Sequence, residues 1–128
     1  MTDKMIVLAD LGRVKAYRVT PNTLTSKPQI EMIYDCEFPD AHGASIRENH
    51  HIRVENERRL IHLVAEKISE LVQGQHCWYM AAGEAINSRI VELLNPHARA
   101  VLYKNVSADL VKVPKQQLLE YFTATPVA

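Results

Sequence analysis

Four of the six histidines, His42, His50, His51 and His62, fall in one stretch of the chain together with Arg47, Arg53, Arg58 and Arg59. Guanidinium forks match phosphate oxygens, and imidazoles on a loop can stack on unpaired bases, so these residue types suit an RNA backbone. The same stretch holds Asp40, Glu48, Glu55 and Glu57. Those carboxylates cancel the four arginines, and the segment reads equally as a solvated, charge-mixed face. His50 and His51, with His42 or Glu48, have the ligand chemistry for a divalent metal. Their spacing follows no zinc signature, and adjacent side chains on an extended loop point apart, so no metal and no cofactor is expected.

A second chemistry uses carboxylates. Metal-dependent nucleases built on a mixed sheet gather acidic side chains at strand ends and on a covering helix, where paired metals activate water and stabilise the leaving oxygen. Asp10, Glu57 and Glu84 fall at such places in the sequence and form the candidate catalytic set. Each also has a structural reading: Asp10 as a turn residue, Glu84 as a first-turn helix carboxylate, and Glu57 as the salt-bridge partner of Arg13 or Arg53. Nucleophilic catalysis finds less support. Ser45, Ser88 and Ser107 sit in no nucleophile elbow, and Cys36 and Cys77 fit core-facing strand positions.

The elements that must position these residues follow from periodicity. Residues 5–10 and 14–19 read as two strands of a hairpin with Gly12 as the turn residue. Ile30, Met32, Tyr34, Cys36 and Phe38 fall on alternate positions of a third strand, which Pro39 stops. Residues 40–51 show no period and predict a long exposed loop. Between residues 54 and 72, Leu60, Ile61, Val64, Ala65, Ile68, Leu71 and Val72 make a stripe at three- and four-residue steps, the signature of a helix that Gly74 ends. Residues 77–82 predict a fourth strand, 84–94 a helix closed before Pro96, and 100–103 a fifth strand. After an irregular connection at 109–113, residues 114–122 form a last helix with Pro at its first turn. Trp78, Tyr79 and Tyr103 are expected to pack inside central strands. A three-stranded meander reaches a parallel neighbour only through a crossover. The expected fold is therefore α/β: a ribonuclease H-like five-stranded mixed sheet, β-β-β-α-β-α-β-α, covered by helices.

Composition bounds the function. With 128 residues, 47% apolar and 23% charged, the chain can bury a core as one domain over residues 1–128. Fifteen basic residues balance fifteen acidic ones. Nucleic-acid contact would then depend on a local patch, because no overall positive field exists. No apolar run approaches the length of a membrane span, and the first residues lack the pattern of a secretory signal, which together predict a cytoplasmic protein. The two cysteines show no ligand spacing and are expected as buried free thiols.

Several short motifs have a family resemblance. Ile6-Val7-Leu8-Ala9-Asp10 with Arg13-Val14-Lys15-Ala16-Tyr17, the run Trp78-Tyr79-Met80-Ala81-Ala82 before a helix, and Ser107-Ala108-Asp109-Leu110 before Pro114 resemble the bacterial host-attachment protein family. That family is similar to the middle domain of archaeal and eukaryotic peptide-chain release factors and of Pelota. His42-Gly43, Ser45, Arg53, Glu57, Arg58 and Val64-Ala65-Glu66 look like the loop-and-helix segment that carries Gly-Gly-Gln in release factors. The resemblance implies a translation-associated module with the ribosome or transfer RNA as partner. It points to His42, Gly43, Ser45, Arg47, His50, His51, Arg53 and Arg58 as the contact residues. One departure bears on mechanism: Gly43-Ala44-Ser45-Ile46-Arg47 contains no Gln, so ester hydrolysis of the release-factor kind is not expected. Any role in attachment to a host is expected to be indirect. A metal-dependent nuclease and a non-catalytic protein-interaction domain are the other expectations.

Overall fold

The computed structural model describes residues 4–20, 29–38 and 50–123, with the side chains of 50–56, 119, 120 and 123 left aside. β1 (Lys4–Ala9) and β2 (Arg13–Thr20) form the hairpin, and β3 (Gln29–Glu37) extends it. α1 (His50–Leu71) leads to β4 (Trp78–Ala82), α2 (Glu84–Leu93), α3 (Pro96–Ala100), β5 (Leu102–Ser107) and α4 (Lys115–Thr123). The sheet order is β3-β2-β1-β4-β5. β1 pairs antiparallel with β2 and parallel with β4, and β4 pairs parallel with β5. This is the five-stranded mixed sheet expected from the sequence.

Two clusters of apolar side chains lie on opposite faces of that sheet. On one face Met5, Val7, Ala9, Val14 and Ala16 join Trp78, Met80 and Ala82 under α1, α2 and α3. The α1 stripe of Leu60, Ile61, Val64, Ala65, Ile68 and Val72 is buried there, and Trp78 donates its indole N–H to the Ala98 carbonyl at 2.7 Å. The other face gathers Ile6, Leu8, Tyr17, Val19, Tyr79 and Ala81 under Leu110, Val111, Leu118 and Phe122. Because both faces are covered, β1 and β4 read as continuous apolar runs rather than alternating ones.

Four details differ from the periodic reading. α1 begins at His50, so His50 and His51, expected in the loop, are helical, and Arg53 lies in the same first turn. No Gly or Pro stands between His50 and Gln73 to stop propagation, which favours extension once a helix has nucleated. α3 occupies residues assigned to a connection and the start of a strand: Asn95 caps it by accepting the Ala98 N–H at 2.8 Å, with Pro96 at the first turn. β5 consequently starts later and runs to Ser107.

The third-strand alternation is broken by a register shift between Ala16 and Tyr17. Ile30 packs on the α4 face, whereas Tyr34 and Phe38 pack on the α1 face. The fourth difference concerns side-chain cover. β5 is an edge strand, and Tyr103, expected inside, is 72% exposed, while Trp78 and Tyr79 are buried as expected. Cys36 and Cys77 are free thiols, but half-buried rather than buried.

One polar group is buried among the apolar ones. Asn87 on α2 donates to the carbonyls of Ala82 and Val106 and exchanges amide hydrogen bonds with Asn105 at 2.7 and 2.5 Å. It ties α2 to the carboxyl ends of β4 and β5. Asn87→Ala strands those acceptors at a site 4% exposed, and an unmet buried group costs about 1–3 kcal/mol. Urea unfolding of this variant is expected to show a lower midpoint with an unchanged slope. An unchanged midpoint would mean that water satisfies the acceptors.

Candidate functional site

The parallel strands β1, β4 and β5 end on the same side of the sheet, so the residues that follow them, Asp10, Gly83 and Asp109, are brought together. They line a surface crevice of about 540 Å³ with Gly12, Arg13, Lys15, Glu37, Ala85 and Lys112 among its walls. A crevice outside the carboxyl ends of parallel strands is where open α/β sheets place ligands, and its volume lies in the range of small-molecule sites. A side chain on Gly83 would meet Asp109 Cβ at 3.8 Å, which shows how closely the two strand ends approach.

The polar groups of this crevice are largely engaged. Asp10 Oδ1 accepts the Gly12 N–H at 2.7 Å, and the Asp10 N–H bonds the Arg13 carbonyl at 3.0 Å, closing the β1–β2 turn. Asp109 Oδ1 accepts the Val111 N–H at 3.2 Å. Lys15 reaches across to donate to the Val111 carbonyl at 2.9 Å, which fastens β2 to the segment before α4. Arg13 grips Asp35 through two hydrogen bonds of 2.8 and 2.7 Å. This bond is the main reason that the Asp35 carboxyl is held below its ordinary value of 3.8. Among the described residues, three cations (Arg13, Lys15, Lys112) face three carboxylates (Asp10, Glu37, Asp109) along the walls, and their formal charges cancel. Among the described residues its lining contains no Ser, Thr, Cys or His, so they supply no nucleophile and base for acyl transfer there.

The three candidate nuclease carboxylates do not converge. Asp10 lines the crevice, Glu84 opens α2 as an exposed first-turn residue, and Glu57 faces Arg89 of α2 at 3.6 Å. Arg13, one of the two expected partners of Glu57, pairs with Asp35 instead, and the side chain of Arg53, the other, lies outside the described residues. Among the described residues no group of three His, Cys, Asp or Glu side chains stands close enough to hold a metal ion. Ser88 and Ser107 are exposed, and Ser45 lies outside the described residues.

Of the expected RNA-contact residues, His42, Gly43, Ser45 and Arg47 also lie outside the described residues. His50, His51 and Arg53 occupy the first turn of α1, and Arg58 is exposed two turns further on. The described elements on either side of that stretch can be placed. The Phe38 N–H bonds the Gly12 carbonyl at 2.8 Å, at the crevice end of the sheet. α1 then runs back to the opposite end, where Gln75 meets Lys4 and Met5. Its 22 residues span about 33 Å, against about 20 Å for a six-residue strand. The helix N-terminus thus extends past the sheet on the side of the crevice, and among the described side chains of α1 the first buried one is Leu60. Periodicity could not reveal Lys15, Asp109 and Lys112 as neighbours of Asp10. The usable signal was that three parallel strands share one carboxyl end, but Asp109 was read as lying in an irregular connection beyond a shorter strand.

No protein-family model matches the chain, and no curated protein matches it either. Among solved structures, the fold is similar to the crystal structure of the archaeal translation termination factor aRF1, with a TM-score of 0.62 and 11% sequence identity. The likeness covers 94% of this chain and 34% of that one, so the chain spans about a third of the length of the factor it matches. At that identity the comparison shows a shared fold. Among the described residues no helix is long and apolar enough to cross a membrane.

The ion pair at the crevice rim has a pH signature. Because Asp35 is held below its ordinary value of 3.8, its stabilising effect is complete above that pH and is lost as pH falls through the lowered value. Asp35→Asn is expected to reduce stability at neutral pH and to flatten the acid limb of a thermal-midpoint against pH curve below pH 3.8. Superimposable acid limbs for the two proteins would assign the acid sensitivity to other carboxylates.

Proposed function

We propose that the chain is a translation-associated, RNA- or ribosome-binding module related to release-factor middle domains, working without Gly-Gly-Gln chemistry. The observation that carries this reading is the likeness in fold to an archaeal termination factor along 94% of the chain. The host-attachment-like motifs of the sequence belong to the same reading. Its contact surface is the stretch from residue 40 to residue 59, with His42, Gly43, Ser45, Arg47, His50, His51, Arg53 and Arg58 facing ribosome or transfer RNA in the cytoplasm. Support for that surface comes from its flanks: β3 ends beside Gly12, and α1 projects beyond the sheet at the same end. Arginine clusters suit phosphate oxygens there. With no Gln between residues 43 and 47, binding and positioning, not hydrolysis of the peptidyl ester, are its task.

Filter binding to transfer RNA and to ribosomes across a salt series tests this. Arg47→Ala, Arg53→Ala and Arg58→Ala combined are expected to weaken binding and to lower the slope of log affinity against log salt by about 2, because each lost phosphate contact removes roughly 0.7–0.9. Equal affinity and equal slope for the triple variant would overturn this contact surface. A wild-type chain that binds neither ligand at low salt would overturn the function itself.

A further inference from the structure

We propose that Tyr103, on the opposite edge of the sheet from β3, is a stacking platform for an unpaired base of single-stranded RNA, with Lys4 and Lys104 beside it as backbone contacts. The inference rests on the RNA-binding reading above and adds to it a second contact surface, remote in sequence from residues 40–59. It starts from an anomaly. Tyr103 stands in the register shift between Trp78 and Tyr79 where β4 meets β5, and at 72% it is the most exposed large apolar side chain among the described residues. A bulge is a device for re-aiming a side chain at a sheet edge.

Behind the exposed ring lies a built support. Tyr103 packs on Tyr79 with centroids 5.4 Å apart, and Phe122 of α4 meets Tyr79 edge-on at 5.8 Å. Lys4 Nζ stands 5.6 Å from the Tyr79 ring centre, and Lys104 Nζ donates to the Phe122 carbonyl at 3.4 Å. Tyr79 is 8% exposed, so the inner ring is fixed and only the outer one is presented to solvent.

Charge selects the occupant. The side chains that β1, β4 and β5 direct to this face, following their register, are Lys4, Ile6, Leu8, Tyr79, Ala81, Lys104 and Val106. Among the described side chains that these three strands place here, the charged ones are Lys4 and Lys104. An aromatic ring over a rigid base, bordered by ammonium groups, is the combination that takes successive nucleotides of a single strand: base on ring, phosphate beside lysine. A duplex, whose bases are already stacked, gains nothing from the ring.

Fluorescence tests this on the full chain. The chain has one tryptophan, Trp78, which is fully buried, so Tyr103→Trp adds a reporter over a constant background. Short oligoadenylate or oligouridylate RNA is expected to quench its emission, and the corresponding duplex is not. Tyr103→Ala is expected to bind the single strand about tenfold more weakly, within the range for loss of one base–aromatic stack, while Tyr103→Phe keeps the affinity. Wild-type affinity in Tyr103→Ala with unquenched Tyr103→Trp overturns the platform, and leaves the earlier reading standing if the triple arginine variant is still weakened. Loss of ribosome binding by Tyr103→Ala without loss of oligonucleotide binding would put a protein on this ring and also overturn the proposal. Failure of the wild-type chain to bind any RNA removes both readings together.

Discussion

Burial of β1 and β4 on both faces is the constraint from which the remaining structure follows. Val7, Leu8, Met80 and Ala81 are fully enclosed, and a strand can be enclosed on two sides only if both faces of the sheet carry cover. The parallel pairing of β1 with β4 demands a crossover long enough to return the chain to the starting edge. α1 is that crossover, and it covers one face as it returns. The segment from Leu110 to α4 covers the other, held down by the bond from Lys15 to the Val111 carbonyl.

The same constraint decides where polar chemistry can lie. Inside the sheet the only buried polar side chain among the described residues, Asn87, is satisfied by α2's neighbours and serves cohesion. Charged groups are displaced to the strand ends and the outer helix faces, where Asp10, Asp109, Arg13 and Lys15 close turns and fasten segments. Such carboxylates resemble a catalytic set when read along the sequence. In space Glu57 answers Arg89 and Glu84 serves the start of α2, so the acidic residues are distributed by local need. At the sheet margins, register shifts in β2–β3 and β4–β5 interrupt both edges, which protects them from pairing with other strands.

Much of this was legible in the sequence because the dominant signals are local. The α1 stripe from Leu60 to Val72 has a helical period, Gly74 adopts the positive φ of 85° that a helix stop favours, and the apolar runs at Ile6 and Trp78 mark enclosed strands. The failures are local competitions as well. At Asn95-Pro96 a cap and a first-turn proline outweighed the weak strand pattern that follows. At His50 the absence of a breaker let the helix begin four residues before its expected start at residue 54. For the crevice the legible part was the place of Asp10 at the end of the first strand. The crevice partners come from β2, from the end of β5 and from the segment before α4, and no sequence period links them.

Residue order alone determined the kinds of element, their sequence along the chain and the apolar faces they had to bury, because each depends on neighbours within a few positions. Tertiary structure alone decided which strands became edges, which carboxylates met and which aromatic ring was left in solvent. Tyr79 and Tyr103 have the same side chain and are both flanked by strand formers, yet Tyr79 is sealed beneath Phe122 and Tyr103 lies over Tyr79, largely in solvent. The difference lies in the lateral position of β5 and its one-residue register shift, quantities set by pairing between distant segments and not by either residue's own surroundings in the chain.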